Sequence, residues 1–135
     1  MAIPKHRLAA SVAVVNSDNE ILLVKHWDRG WEFPGGYVRE GEPIKDAAIR
    51  EVMEEAGIRV RLTKFCGMVQ YVGRKTCTVQ FLGTPEGGEL LASDDALEAR
   101  FVTVDQALQM IERKTDKDRL IKCLHEEEHP FFIEC

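Results

Sequence analysis

Three glutamates within five residues are the feature of this sequence best suited to chemistry. On a helix, Glu51, Glu54 and Glu55 stand at i, i+3 and i+4, so their carboxylates share one face. Like charges at this spacing repel each other by roughly a few tenths of a kcal/mol per exposed pair. Lys45 and Arg50 fall elsewhere on the helical wheel, so neither is an obvious counter-charge. We therefore expect a hard divalent cation, Mg²⁺ with Mn²⁺ as a substitute, because both favour carboxylate oxygens. A solvated acidic helix surface is the alternative that the spacing alone leaves open.

The helix that positions these glutamates has clear boundary signals. Pro43 suits the first helical residue, where its missing N–H costs nothing, and Gly57 suits the residue that ends the helix after Ala56. Ala47 and Ala48 flank the carboxylate face, so we expect them to leave space for metal and substrate. The apolar residues of the helix fill a separate arc that is predicted to pack on a sheet: Ile49, Val52, Met53 and Ala56.

The residues before and after the glutamates follow a fixed spacing. Gly36 is followed by five residues, Glu42, seven residues, and then the run from Arg50 to Ile58. This segment resembles the signature of the Nudix hydrolases at each constrained position: Gly36, Glu42, Arg50, Glu51, Val52, Glu54, Glu55, Gly57 and Ile58. Residues 31–35, Trp-Glu-Phe-Pro-Gly, also resemble the usual lead-in to that signature. We call residues 36–58 the Nudix box.

The resemblance implies a metal-dependent hydrolase. Metal ions on a pyrophosphate neutralise its negative charge and lower the pKa of a bound water. The resemblance gives the metal ligands as Glu51, Glu54, Glu55 and the carbonyl of Gly36, where a side chain would obstruct the metal. It makes Arg50 structural, paired with a box carboxylate such as Glu42. Its structural positions are Gly35, Glu42 and Gly57.

The general base is left open by the same resemblance. Family members use either the residue that matches Glu51 or an acidic residue from a loop late in the chain. The corresponding loop here is residues 93–98, Ser-Asp-Asp-Ala-Leu-Glu, in which Asp95 and Glu98 are the candidates. A solvated, aspartate-rich turn is the other interpretation of this loop.

Candidate substrate contacts are scattered along the chain. Lys25, at the end of a predicted strand, and Arg7 are placed to meet phosphates, while Trp27, Tyr71 and Phe81 are suited to stack on a base. Each residue has an ordinary alternative as a surface cation or as a core or rim aromatic.

Composition and charge restrict the class of protein. A chain of 135 residues with 44% hydrophobic and 30% charged residues is typical of one soluble domain, here residues 1–135. The formal net charge of −5 argues against general binding to nucleic acid or to an anionic membrane, but not against a nucleotide. The four cysteines have no CxxC spacing and are expected to be free thiols in a reducing cytosol.

The remaining elements alternate strands with two or three helices. Strands are predicted over residues 8–15, 21–26, 31–33, 59–70, 75–83 and 101–103. The first two strands are predicted to form a hairpin through residues 17–19, and turns are expected over 34–36 and 84–88. A capping box of Thr103 with Gln106 starts a helix to about Ile111, and a last helix runs over about 116–127, halted by Pro130. This order predicts an α/β fold with helices on both faces of a mixed sheet, and the resemblance implies an α/β/α sandwich.

The substrate class stays broad at this point. We expect a nucleoside diphosphate linked to another moiety, with nucleoside triphosphates, nucleotide sugars and ADP-ribose all open. A non-catalytic nucleotide-binding Nudix sensor or regulatory domain is the alternative. A Nudix-fold isomerase is less favoured, because neither Cys66 nor Cys77 has a supporting spacing. The expected partner is a small-molecule nucleotide, and a homodimer is compatible with the family.

Overall fold

A computed structural model gives the fold and describes residues 2–91, 93 and 96–135. Within these residues the chain alternates strands and helices, as an α/β fold requires. In chain order the elements are β1 (Arg7–Val14), β2 (Ile21–His26), β3 (Gly30–Glu32), β4 (Gly35–Tyr37), α1 (Ile44–Ala56), β5 (Ile58–Tyr71), β6 (Thr76–Gly88), β7 (Glu98–Val102), α2 (Val104–Met110), α3 (Lys114–Leu124), a 3₁₀ turn (Glu126–Glu128) and β8 (Phe131–Glu134).

The larger sheet is mixed and has the strand order β4-β1-β6-β5-β8. Strands β1 and β6 are parallel, as are β5 and β8, while β5 and β6 are antiparallel. Strand β4 runs antiparallel to β1. This pairing brings the start of the Nudix box against the first strand of the chain.

The predicted hairpin between the first two strands is wrong. Strand β2 lies in a second, antiparallel sheet of order β3-β2-β7, and the only pairing near the turn is an isolated bridge between Val15 and Ile21. The apolar run of β2 is buried on both faces, which suits a strand in the middle of a layer. Hydrophobic runs separated by a turn therefore gave the two strands correctly but not their partners.

Two hydrophobic cores lie on opposite faces of the strands. One core packs α1 against β1, β2, β5 and β6, and includes Val12, Val24 and Val52. The other packs α2 and α3 against the opposite face, and includes Leu23 and Leu120. The predicted α/β/α sandwich with a mixed sheet is thus confirmed. No helix in the described ranges is long and apolar enough to cross a membrane.

Helix α1 has nearly the predicted bounds but a different buried arc. It begins at Ile44, one residue after Pro43, and is ended by Gly57, whose φ of 75° is in the left-handed region. Ala47 and Ala48 are buried in the core, so the expectation that they leave space for metal is wrong. Met53 is 43% exposed rather than packed on the sheet. The buried arc is therefore shifted toward the small residues, which let the helix approach the strands closely.

Two segments that were predicted as turns from their glycine and proline residues belong to strands. Residues 35–37 form β4 because Gly35 lies so close to β1 that a Cβ would be 2.5 Å from the carbonyl oxygen of Ala10. Residues 84–88 continue β6, with Pro85 opposite Val60 beside a register shift, where a missing N–H is tolerated. Long-range pairing overrides the turn propensity in both segments.

The C-terminal region contains one confirmed feature and one missed strand. The capping box of Thr103 with Gln106 is present at the start of α2. The last helix ends at Leu124, earlier than predicted, and β8 follows Pro130 although no strand was expected there. Of the predicted loop over residues 93–98, Asp94 and Asp95 lie outside the described residues, as does Ala92 before it.

Candidate active site

A cavity of about 340 Å³ opens beside α1, and we call it the acidic cavity. Two box glutamates line it together with the end of β2 and the backbone of β4. Its lining residues are His26, Trp27, Asp28, Arg29, Gly35, Gly36, Tyr37, Glu51 and Glu55. The start and the helix of the Nudix box thus meet in one place.

Glu55 is the most deeply buried carboxylate of the cavity. It is 2% exposed, and its Oε1 accepts a 2.7 Å hydrogen bond from the backbone N–H of Gly35. Its Oε2 lies 3.1 Å from Nε2 of His26, which lies equally close to Glu32. The neighbouring carboxylates of Glu32 and then Glu55 raise the pKa of His26 to about 10. A buried imidazolium therefore compensates the charge of Glu55, a role that the sequence did not suggest.

Arg50 organises the rest of the box. Its guanidinium makes two hydrogen bonds to Glu42, at 2.7 and 2.9 Å, so the pair expected from the sequence is present. It also donates to Glu51 at 2.8 Å and to Glu54 at 3.1 Å. The expectation that Arg50 is no counter-charge for the carboxylate face is wrong, because its long side chain reaches across the wheel. The hydrogen bonds from Arg50 lower the pKa of Glu42 to about 2.

Glu51 packs directly against Gly36 at the acidic cavity. A Cβ on Gly36 would lie 2.5 Å from Cδ of Glu51, so glycine at this position leaves room for the carboxylate. Burial raises the pKa of Glu51 and outweighs the opposing hydrogen bond from Arg50. From the sequence, glycine was expected at position 36 because a side chain there would obstruct a metal. In the structure, the group that such a side chain would meet is Glu51.

Glu54 is the most exposed of the three glutamates. Its side chain is 39% exposed and is paired with Arg39 at 3.5 Å as well as with Arg50. Across the described part of the chain, no three His, Cys, Asp or Glu side chains are grouped so as to hold a metal ion. Glu51 and Glu54 nevertheless contact the same Nη1 atom of Arg50, at 2.8 and 3.1 Å, so these two carboxylates lie close together. The acidic cavity still offers Glu51, Glu55 and the backbone of Gly36, and these oxygen donors suit a hard divalent cation.

Comparison with known proteins decides the family. Residues 5–124 match the family model of the NUDIX domain. An ADP-ribose pyrophosphatase of Methanocaldococcus jannaschii is 30% identical over 125 residues, which cover 87% of this chain and 72% of that protein. The chain belongs to the Nudix family. The recognition of the Nudix box from the sequence is confirmed.

The names of two further Nudix relatives indicate different substrates. A putative 8-oxo-dGTP diphosphatase of Bacillus subtilis, YtkD, is 46% identical over 59 residues, covering 44% of this chain and 37% of that protein. The crystal structure of an ADP-ribose pyrophosphatase from Streptococcus suis superposes with a TM-score of 0.78 at 25% identity. That superposition covers 97% of this chain and 100% of the other, so the whole fold is shared.

Two general-base candidates of this Nudix chain, Glu98 and Asp95, were predicted in the loop over residues 93–98. Glu98 is the first residue of β7 rather than part of a loop, and its carboxylate accepts a 2.9 Å hydrogen bond from Arg100. It does not line the acidic cavity. Asp95 lies outside the described residues. Glu51 is therefore the base candidate that the structure brings to the cavity.

Most residues of the Nudix chain that were predicted to contact substrate do not line the acidic cavity. Lys25 lies 5.9 Å from the ring of Trp31, Arg7 lies 5.9 Å from the ring of Tyr37, and neither lines the acidic cavity. Phe81 is 5% exposed in the core, so its suggested stacking role is wrong. Trp27 lines the acidic cavity and is 79% exposed.

A second cavity, of about 190 Å³, adjoins the acidic cavity of the Nudix fold, and we call it the basic cavity. The two share the wall formed by Arg29 and residues 35–37. Tyr71 lines the basic cavity, as do three arginines that sequence reasoning missed: Arg74, Arg113 and Arg119. No local motif marks these arginines, because they come from a turn and from the region of α3, which meet only in the fold.

Proposed function

We propose that this Nudix chain is a Mg²⁺-dependent hydrolase that cleaves the pyrophosphate bond of a nucleoside diphosphate linked to another moiety, by attack of water at phosphorus. Mn²⁺ is the expected substitute metal. The observation that carries the proposal is the acidic cavity, where Glu51 and Glu55 lie beside Gly36. Family membership supports the reaction class, since its named relatives include pyrophosphatases and a diphosphatase.

Glu51, Glu55 and the carbonyl of Gly36 would hold the metal, with Glu54, which contacts Arg50 beside Glu51, as a further carboxylate. The bound metal would neutralise the phosphate oxygens and acidify a water molecule. The chain's own contribution is to keep oxygen donors in place without forcing them to repel each other. Arg50 does this for Glu51 at 2.8 Å, and His26 does it for Glu55 at 3.1 Å.

Glu51 is the proposed acceptor of the proton from the attacking water. It lies in the cavity, whereas the carboxylate of Glu98 is held by Arg100 on β7. A general base must reach the proton that it takes, so position favours Glu51. Asp95 stays the second candidate, and the variant Asp95→Asn separates the two.

The class of substrate follows the family and is broad. Nucleoside triphosphates, nucleotide sugars and ADP-ribose are the candidates, and the named relatives include enzymes for ADP-ribose and for an oxidised triphosphate. A reducing cytosol is the proposed location, in keeping with cysteines that are all free thiols. A non-catalytic sensor has no specific support, since every constrained residue of the Nudix box is present.

The proposal is tested by hydrolysis of a panel of these compounds with Mg²⁺, with Mn²⁺ and with chelator. Release of a nucleoside monophosphate or of phosphate is expected only with metal, and one compound is expected to exceed the others. A melting curve recorded with each compound provides an independent measure of binding. Metal-independent turnover would contradict the metal assignment, and binding without any turnover would favour the sensor.

A further inference from the structure

The basic cavity differs from its surroundings in charge. The chain as a whole carries a formal charge of −5, yet four arginines line this cavity against only two carboxylates. Arg119 is paired with Asp116 at 3.2 Å, and Arg29 is paired with Glu32 at 3.0 Å. The cavity therefore retains two positive charges after its internal pairs are formed.

Those two charges belong to Arg74 and Arg113. Both side chains are exposed at the cavity, and neither has a carboxylate within ion-pair distance in the ranges that the structure describes. Arg74 instead lies over the ring of Tyr71, with 4.2 Å between its guanidinium carbon and the ring centroid. A guanidinium placed in this way still has its N–H groups available for an anion.

The inner wall of the cavity is built around Arg119, which is 7% exposed. It donates to Gln80 at 2.6 Å and to the hydroxyl of Tyr71 at 3.1 Å, so its position is fixed from two strands. Its Nε and the hydroxyl of Ser11, which is 4% exposed, have no hydrogen-bond partner among the described residues. Because these two atoms have almost no exposed surface, they belong to the packed interior of the wall, and the groups that a ligand would meet are the exposed guanidinium groups of Arg74 and Arg113.

Aromatic stacking is a poor alternative in this cavity, because each aromatic ring already has a guanidinium on one face. Arg119 lies 5.5 Å from the ring of Phe33, and Arg74 lies over Tyr71. Tyr37 is in turn approached by Arg7. A neutral base would find few open ring faces here, whereas an anionic group would meet several donors.

We propose that the basic cavity binds a phosphate or carboxylate group carried by one end of the substrate, in addition to the diphosphate that is cleaved. This inference rests on the proposed function, because the shared wall of residues 35–37 places the basic cavity beside the acidic one. Arg74 and Arg113 are the specificity-determining residues, and Arg119 is a positioning residue that fixes the wall.

The test uses pairs of compounds that differ by one anionic group. NADPH with NADH and coenzyme A with dephospho-coenzyme A each differ by one phosphate on the adenosine ribose, and UDP-glucuronate with UDP-glucose differs by a carboxylate on the sugar. Dissociation constants are measured by calorimetry in chelator, so that no turnover occurs. The comparison then shows both which anion is bound and which end of the molecule carries it.

We expect the charged member of at least one pair to bind about tenfold more tightly, which corresponds to about 1.4 kcal/mol. Arg74→Ala combined with Arg113→Ala is expected to reduce that ratio to about one. Arg61→Ala is the matched control, because Arg61 is an exposed arginine of β5 that lies outside both cavities. It is expected to leave the ratio unchanged. Circular dichroism confirms that each variant is folded.

Two results would overturn the inference. Ratios near one for every pair would show that no additional anion is bound. An equal loss for both members of a pair in the double arginine variant would show that these arginines hold the cleaved diphosphate itself. Discrimination between the members of a pair in chelator, together with no hydrolysis of any compound when Mg²⁺ is present, would instead count against the proposed enzyme activity while supporting the anion site.

Discussion

The acidic and basic cavities share a wall but are built in opposite ways. Glu51 and Glu55 of the acidic cavity come from one helix and are each held by a cation, Arg50 or His26. The polar wall of the basic cavity comes from distant parts of the chain, where Ser11 lies 108 residues before Arg119. One cavity is thus a local motif, and the other exists only because the fold brings its parts together.

The two cavities also differ in whether their charged groups are paired within the protein. The carboxylates of the acidic cavity have partners within the protein, so a cation that enters must compete with Arg50 and His26 for their oxygens. The basic cavity instead has guanidinium groups without a described carboxylate partner. Substitutions in the acidic cavity should therefore affect turnover strongly, while those in the basic cavity should affect selectivity and stability.

The largest effect is expected for Glu55→Gln. Loss of the carboxylate removes a proposed metal ligand, and turnover should fall by roughly a thousandfold, equivalent to about 4 kcal/mol of transition-state stabilisation. Steady-state kinetics at saturating Mg²⁺ measures this, and circular dichroism reports whether the fold is kept. Glu127→Gln, in the exposed 3₁₀ turn, is the control and should be neutral. Near-native turnover of Glu55→Gln would contradict the metal assignment.

A smaller loss is expected for Arg50→Ala. The variant removes the hydrogen bonds to Glu42, Glu51 and Glu54 at once, which leaves three carboxylates close together. We expect kcat/KM to fall by about a hundredfold, with a lower melting temperature. Arg50→Lys keeps the charge but not the two-pronged contact with Glu42, so it should recover only part of the loss. Full recovery by lysine would show that charge alone matters.

Gly36→Ala tests the space in front of Glu51. The added methyl group would lie 2.5 Å from Cδ of Glu51, so the carboxylate must move. A decrease of about tenfold in kcat/KM is expected, since small displacements of a catalytic group are costly. Gly73→Ala is a matched control, because a Cβ there meets no atom within 4 Å. Equal effects of the two variants would show that the loss is not specific to the cavity.

Ser11→Ala should have the smallest effect and the opposite sign on stability. The hydroxyl of Ser11 is buried and has no hydrogen-bond partner in the described part of the chain, so its removal should raise the free energy of unfolding by up to about 1 kcal/mol. Urea denaturation measures the change, and Thr78→Ala, on the neighbouring strand, serves for comparison. A clear loss of stability in Ser11→Ala would mean that the hydroxyl does have a partner in solution.

The sequence allowed the acidic cavity to be predicted better than the basic one. Pro43, Gly57 and the apolar periodicity between them predicted the helix and its end, and the family resemblance implied the pair of Arg50 with a box carboxylate such as Glu42. All of these depend on near neighbours. Sequence periodicity could not show that Glu54 turns outward toward Arg39. It also could not reveal His26, because the only signal was one histidine at the end of an apolar strand.

The failures in the fold have a common physical cause. Residues 35–37 and 84–88 are rich in glycine or proline and suggest turns, yet each pairs with a strand distant in sequence. The strand β8 follows Pro130 and owes its existence to β5, with which it pairs over Gly67–Gln70. Local propensity contains no information on such partners.

The edges of the larger sheet bear on how two copies of the chain could associate. Its outer strands β4 and β8 have only three and four residues, whereas β5 and β6 inside it have fourteen and thirteen. Where β8 does not cover β5, that strand has register irregularities and exposes Arg59 and Arg61. Short, irregular and charged edges oppose strand-to-strand aggregation. A homodimer, if one forms, is therefore expected to meet through side-chain surfaces rather than by extending the sheet.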